Sequence, residues 1–248
     1  MKSYMIQFKL YMPFIDVMIT PESFRQNMGD KQIKINSYKE MAYLHPNYYQ
    51  PKKDIFGLLG VDEGEDYCIL RFNAFDAVHD LSVRGFSDAD KIDLVEGLNK
   101  HARVFISSEA GVPVELESYI TKIPKSRMHD AIYFAKLLVT DTQTMATEGA
   151  LLGTPTIRCN SFVGVNDMGN FIELENGYGL MFNNSNSQNA IKNALELIKQ
   201  KDIKNEWRKK SDRLLSEKVD ITQFMSKYLE NYPSSLQNSS NNSDKWRH

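Results

Sequence analysis

Asp141-Thr-Gln-Thr-Met-Ala-Thr-Glu-Gly-Ala-Leu-Leu-Gly-Thr-Pro155 follows directly on the apolar run Lys136-Leu-Leu-Val-Thr140, and the two together decide the fold. Short apolar runs of the second kind form strands of parallel sheets that are covered on both faces. After it the pattern predicts a helix capped by Thr142, with Ala146, Ala150, Leu151 and Leu152 on its apolar side. Gly153 and Pro155 stop that helix before a new strand at Thr156 to Arg158. A helix starting there turns its unpaired N–H groups and the positive end of its dipole toward the crevice beyond the strand, where phosphates are held. Glu148, a turn and a half further in, is placed to reach a ribose hydroxyl pair. Strand-turn-helix corners that bind nothing are common, and Glu148 also reads as a solvated helix carboxylate; spacing does not choose between these.

Similar units flank this one. Short strands are predicted at Ile15 to Thr20 and Gln32 to Tyr38, then a Pro- and aromatic-rich linker from Met41 to Pro51. Tyr67 to Phe72 reads as a strand ending near Arg71, and Ser87 as the cap of a helix carrying Ile92, Leu94, Val95 and Leu98. Arg103 to Ser108 is the next strand, Tyr119 to Ile123 a short further one, and a helix carries Met128, His129, Ile132, Tyr133 and Phe134. Beyond the opening corner follow a short helical piece at Phe171 to Leu174 and a strand at Tyr178 to Phe182. Helices are predicted at Gln188 to Gln200, Asn205 to Leu215 and Ile221 to Tyr232, the last capped by Asp220.

Strands and helices alternating at this spacing predict an α/β fold, a Rossmann-like parallel sheet flanked by helices, over residues 54–232. Residues 1–53 read as the remnant of an N-terminal domain with its linker. The Ser- and Asn-rich tail 233–248 reads as disordered.

The 248 residues carry a net charge of −2, with basic residues scattered rather than striped, so a general nucleic-acid-binding surface is excluded. No Cys/His spacing suggests a metal, and no cofactor is implied. Cys68 and Cys159 read as small buried hydrophobes in a reducing compartment. Lys2, Gln7 and Lys9 interrupt the apolar N-terminus, so neither a signal peptide nor a bilayer-spanning segment is predicted. The chain is expected to be cytoplasmic and not an integral membrane protein.

In parallel sheets ligands collect beyond the carboxyl ends of the strands, where the strand order reverses. Arg71, Ser107, Ser108, Glu109, Thr142, Gln143 and Thr144 all lie just past or at strand ends, and the fold is expected to gather them with Glu148 along one crevice. Arg71 is a phosphate partner or a structural ion pair. Ser107, Ser108 and Glu109 place polar groups by a base or sugar, or form a capping turn. His129, near a helix start, contacts a nucleotide in a neutral state favoured by the helix dipole, or is simply packed. His79-Asp80 is an acid/base pair or a surface turn, with the turn favoured. No Gly-x-Gly-x-x-Gly, Walker loop or Gly-x-Ser-x-Gly is present, which disfavours dinucleotide oxidoreductases, phosphate-loop enzymes and simple serine hydrolases.

Ala42-Tyr43-Leu44-His45-Pro46-Asn47, Leu70-Arg71-Phe72-Asn73, His79-Asp80, Ile106-Ser107-Ser108-Glu109, Met128-His129 and Thr144-Met145-Ala146-Thr147-Glu148 through Leu152-Gly153-Thr154-Pro155 resemble, in this order, a family of unknown function described as predicted glycosyltransferases. That family is similar to the GT-B superfamily, in which two Rossmann-like domains face each other and the C-terminal one holds a nucleotide-sugar donor. UDP-N-acetylglucosamine 2-epimerases share the architecture. The resemblance implies a C-terminal donor-binding domain for a nucleotide sugar, a UDP-sugar by preference, with Glu148 on the ribose. It puts the N–H groups of Thr142 to Thr144 on the diphosphate and Arg71 on a phosphate, with no bound metal. Where many donor loops of the superfamily have a glycine pair, this chain has Asp141 to Thr144, so Asp141 brings a negative charge to the corner. The residues before 54 are too few for a Rossmann half, so the chain is expected to be either truncated or completed by a separate N-terminal-domain subunit or another copy of the chain, where the acceptor site and any catalytic base would lie. A nucleotide-sugar 2-epimerase and a non-catalytic nucleotide-binding or assembly module are the other readings.

Overall fold

The structure, a computed structural model, describes residue 8 and residues 10–73, 85–109, 111–165 and 167–239. Along the chain the strands are β1 (Met18–Pro21), β2 (Gln32–Ile35), β3 (Tyr67–Phe72), β4 (Arg103–Ser108), β5 (Leu137–Thr140), β6 (Thr156–Cys159) and β7 (Met181–Asn184). The helices used below are α1 (Ile55–Leu59), α2 (Asp88–Leu98), α3 (Met128–Phe134), α4 (Gln143–Leu151), α5 (Ser187–Leu197), α6 (Ile203–Glu217), α7 (Ile221–Glu230) and α8 (Ser234–Ser239). They fall into two compact units, residues 43–217 and residues 1–42 with 218–248.

The larger unit is the predicted Rossmann-like layer. Its five strands run parallel in the order β4-β3-β5-β6-β7. β3 and β5 sit at the centre, and their residues Tyr67 to Leu70 and Leu137 to Val139 are wholly buried, as their unbroken apolar runs demand. From β3 the chain steps to β4 on one side, then crosses back to β5 on the other. The strand order therefore reverses between β3 and β5, which puts a crevice beyond Phe72 and Thr140.

Helices cover both faces. α2 and α5 pack together on one, where Gly97 lies close against Leu195. α3, α4 and α6 take the other: Tyr67 donates to the Ala131 carbonyl at 2.7 Å, and Ser211 to the Leu151 carbonyl at 2.8 Å. Gly149 lets α4 lie directly on the sheet, since a Cβ there would stand 2.4 Å from Leu138 Cδ2 and 2.6 Å from Thr156 Oγ1. Gly153 ends the run with a φ of 67°, a left-handed conformation that favours glycine. Ser87 caps α2 with a reciprocal Ser87–Asp90 capping box.

The smaller unit pairs β1 and β2 in parallel and packs them with α7. Its core is Ile35, Phe224 and Tyr228, with Val17, Ile19, Ile33, Val219 and Leu236 around it. Asp220 caps α7 by accepting from the Gln223 N–H at 3.0 Å, as predicted.

Several local expectations give way. Residues 119–123 form no strand. A 3₁₀ helix over Val114–Tyr119 leads to a single bridge between Ile106 and Ile120. The linker contains a helical turn at Met41–Leu44 and is followed by α1, whose apolar residues Ile55, Phe56 and Leu59 are buried. β7 starts at Met181 rather than Tyr178, because a π-helical turn over Glu173–Gly177 carries the chain to Gly179, with φ 63°. The tail does not turn irregular at Ser234. α8 continues through Ser239, held by the Ser235 N–H on the Asn231 carbonyl and by Leu236 against the Ile35 cluster. His79-Asp80 lies outside the described residues. Among those described, no helix is long and apolar enough to cross a membrane.

Candidate functional site

The turn after β5 is built from hydroxyls and a buried carboxyl. Thr142 does not cap α4 with its side chain, contrary to the sequence expectation. Its Oγ1 lies 2.8 Å from Thr140 Oγ1, and its N–H donates to that same oxygen at 3.0 Å. The hydroxyl is thus drawn back toward the strand. The first N–H groups of α4, on Gln143, Thr144 and Met145, have no acceptor within the helix and no capping side chain, so they face the crevice with the positive end of the dipole.

Asp141 joins three strand ends. Its N–H donates to the Arg71 carbonyl at 3.3 Å, its Oδ1 accepts from the Asn73 N–H at 2.8 Å, and its carbonyl accepts from Asn160 Nδ2 at 3.1 Å. The residue is 2% exposed. Burial pushes its carboxyl up to about 7, against the smaller opposing pull of the Asn73 N–H, Lys91 and Arg71. Burial thus favours the protonated form of a carboxyl that the sequence presented as a negative charge.

Alternation along β3 and β4 sorts the next candidates by face. Arg71 and Ser107 share the face that Tyr67 presents to α3, and Arg71 Nη1 donates to Ser107 Oγ at 2.8 Å. Arg71 Nη2 is paired with Glu109. Ser108 points the other way, as does Phe72, whose ring lies under Lys91 of α2. Its Oγ is buried without a partner among the described residues. The sequence grouped Ser107 and Ser108; the pleat separates them.

His129 and Glu148 come together on the α3/α4 face. His129 Nε2 is 3.2 Å from Glu148 Oε1, and the same oxygen accepts from the Tyr43 hydroxyl at 2.7 Å. Glu148 is 7% exposed, so it is not a solvated helix carboxylate. The Tyr43 ring stacks on His129 at 5.7 Å and 28°, and Tyr49 meets that imidazole edge-on at 6.2 Å. Tyr49 in turn donates to Asp130 Oδ1 at 2.7 Å, and Arg127 Nε to Asp130 Oδ2 at 2.6 Å. Burial, then the bond to Asp130, raises the Tyr49 phenol well above its ordinary range and keeps it a donor.

Tyr43, Tyr49 and Asp130 were missed as site residues. The only signal for Tyr43 was its place in the Ala42–Asn47 motif, 105 residues before Glu148. A hollow of about 370 Å³ lies beside edge strand β4, between Leu58, Arg103, Tyr119 and Lys122. Cys68 and Cys159 are free, buried, and pushed up by that burial, Cys159 to about 12.

No protein-family model and no curated protein matches the sequence. Solved structures do match the fold. The wall teichoic acid polymerase TagF superposes with a TM-score of 0.56 at 13% identity, over 96% of this chain and 62% of that one. A proposed UDP-N-acetylglucosamine 2-epimerase from Listeria monocytogenes gives 0.52 at 14% identity, over 86% and 60%. The chain spans about three fifths of the length of these two structures. Its parallel sheet flanked by helices is the Rossmann-like architecture predicted from the sequence.

Proposed function

We propose that the rim between β3 and β5 binds a nucleotide-sugar donor, a UDP-sugar by preference, and that the chain is the donor-binding part of a GT-B glycosyltransferase-like protein. The observation that carries this is the placement of Glu148. Its carboxylate is buried, oriented by Tyr43 and His129, and set on the same helix whose uncapped N-terminus meets the strand-order reversal. A ribose diol is a fitting partner for such a carboxylate, and a diphosphate for the N–H groups of Gln143 and Thr144.

Arg71 supplies the cationic partner for a phosphate. Glu109 holds its guanidinium, and an entering phosphate replaces that carboxylate. The raised Asp141 carboxyl favours the same event, since burial disfavours its charged form and so weakens its repulsion of an anion. Ser107 keeps Arg71 directed. A cytoplasmic setting fits the chain's two free cysteines.

Isothermal titration of the purified chain with UDP-sugars, other nucleotide sugars and free nucleotides tests this. Micromolar to millimolar binding of at least one is expected. Failure of every one to bind ends the proposal.

A further inference from the structure

The Ala42–Asn47 motif has no part in the donor site as read from sequence, yet it delivers the residue that holds the site's central carboxylate. We infer that Tyr43 is a positioning residue for the ribose pocket. This rests on the donor-binding reading above and assigns a role to a side chain which that reading does not use.

Three observations combine. The Tyr43 hydroxyl donates to Glu148 Oε1 at 2.7 Å, a short bond to an ionisable group. Its ring lies nearly parallel to the His129 imidazole, 5.7 Å away, and His129 Nε2 reaches the same Oε1 at 3.2 Å. The residue is also 43% exposed, so it is not a core filler. One tyrosine therefore aims the carboxylate directly and steadies the imidazole that aims it a second time.

A glutamate on a helix surface loses side-chain freedom when it takes up a diol. Where donors already fix the carboxylate plane, that cost is met in the folded chain and not at binding. Tyr43 thus acts on ribose recognition through Glu148 and has no contact with the phosphates to make. This separates it from a merely structural residue, whose loss would weaken every nucleotide alike.

The test compares UDP with 2′,3′-dideoxy-UDP, which keeps base and diphosphate but lacks the diol, by titration calorimetry on the wild-type chain, Tyr43→Phe and Tyr43→Leu. The phenylalanine keeps the ring and the stack, and its thermal midpoint should match wild type. Wild type should prefer UDP by tenfold or more. Tyr43→Phe should lose roughly tenfold for UDP and little for the dideoxy compound, so the preference collapses, and Tyr43→Leu should collapse it further. Unchanged preference in both variants, whatever happens to the absolute affinities, overturns the role of Tyr43 and leaves donor binding standing. Wild type that binds neither compound, or both equally, removes the ribose site itself and Tyr43's role with it.

Discussion

Asp141 gives the sharpest quantitative expectation, because its environment ties chain stability to pH. In the folded chain burial raises its carboxyl from an ordinary 3.8 to about 7. The folded state therefore binds more protons than the unfolded state between those two values, and stability falls as pH rises through that window. At about 1.36 kcal/mol for each pH unit the full loss is about 4 kcal/mol, of which about 2.5 kcal/mol falls between pH 5 and pH 8. Asp141→Asn keeps an oxygen for the Asn73 N–H and imitates the protonated acid. Urea unfolding of both proteins at pH 5 and pH 8 isolates the effect, since other titrating groups cancel in the double difference. Wild type should lose about 2.5 kcal/mol relative to Asp141→Asn over that interval. A double difference of zero, or one of opposite sign, would mean that Asp141 stays ionised in the folded chain at pH 5.

Glu148→Gln should weaken UDP binding by about 1.5–3 kcal/mol in calorimetry with the unfolding midpoint little changed; unaltered affinity would remove Glu148 from the ribose site. Arg158 is wholly buried, paired with Asp167 at 2.6 Å and stacked 3.6 Å from the Phe171 ring centre, so Arg158→Met strands a buried carboxylate. Denaturant unfolding should show a loss of about 3–5 kcal/mol, and a loss below about 1 kcal/mol would contradict the pairing. Gly149→Ala drives a methyl into Leu138 and Thr156 and should cost about 1–3 kcal/mol in the same assay; a neutral result would mean that α4 has room to lift from the sheet.

What could be read from the sequence was local. β3 and β4 came out at their observed bounds and α2 at its observed cap, because Tyr67 to Phe72 and Arg103 to Ser108 are strong strand runs and Ser87 is a strong cap. β7 was misplaced since half of it is polar. Asn183 bonds the Glu175 side chain and Asn184 accepts from Asn193, partners that propensity cannot supply. The corner at Asp141 was legible as a corner, but the behaviour of its side chains was not. Thr142 looked like a cap until Thr140, one strand face away from Asp141, offered its hydroxyl. Glu148 was ambiguous for the same reason: its donors, Tyr43 and His129, come from a distant segment and from the neighbouring helix, and only the folded chain brings them to one oxygen.

A crystal structure of the chain grown in millimolar UDP tests donor binding at this rim most directly. The diphosphate should lie on the N–H groups of Gln143 and Thr144 with Arg71 released from Glu109, and the ribose diol should lie on Glu148. UDP found anywhere else, such as the hollow beside β4, or a rim left empty with Glu109 still on Arg71, would contradict it.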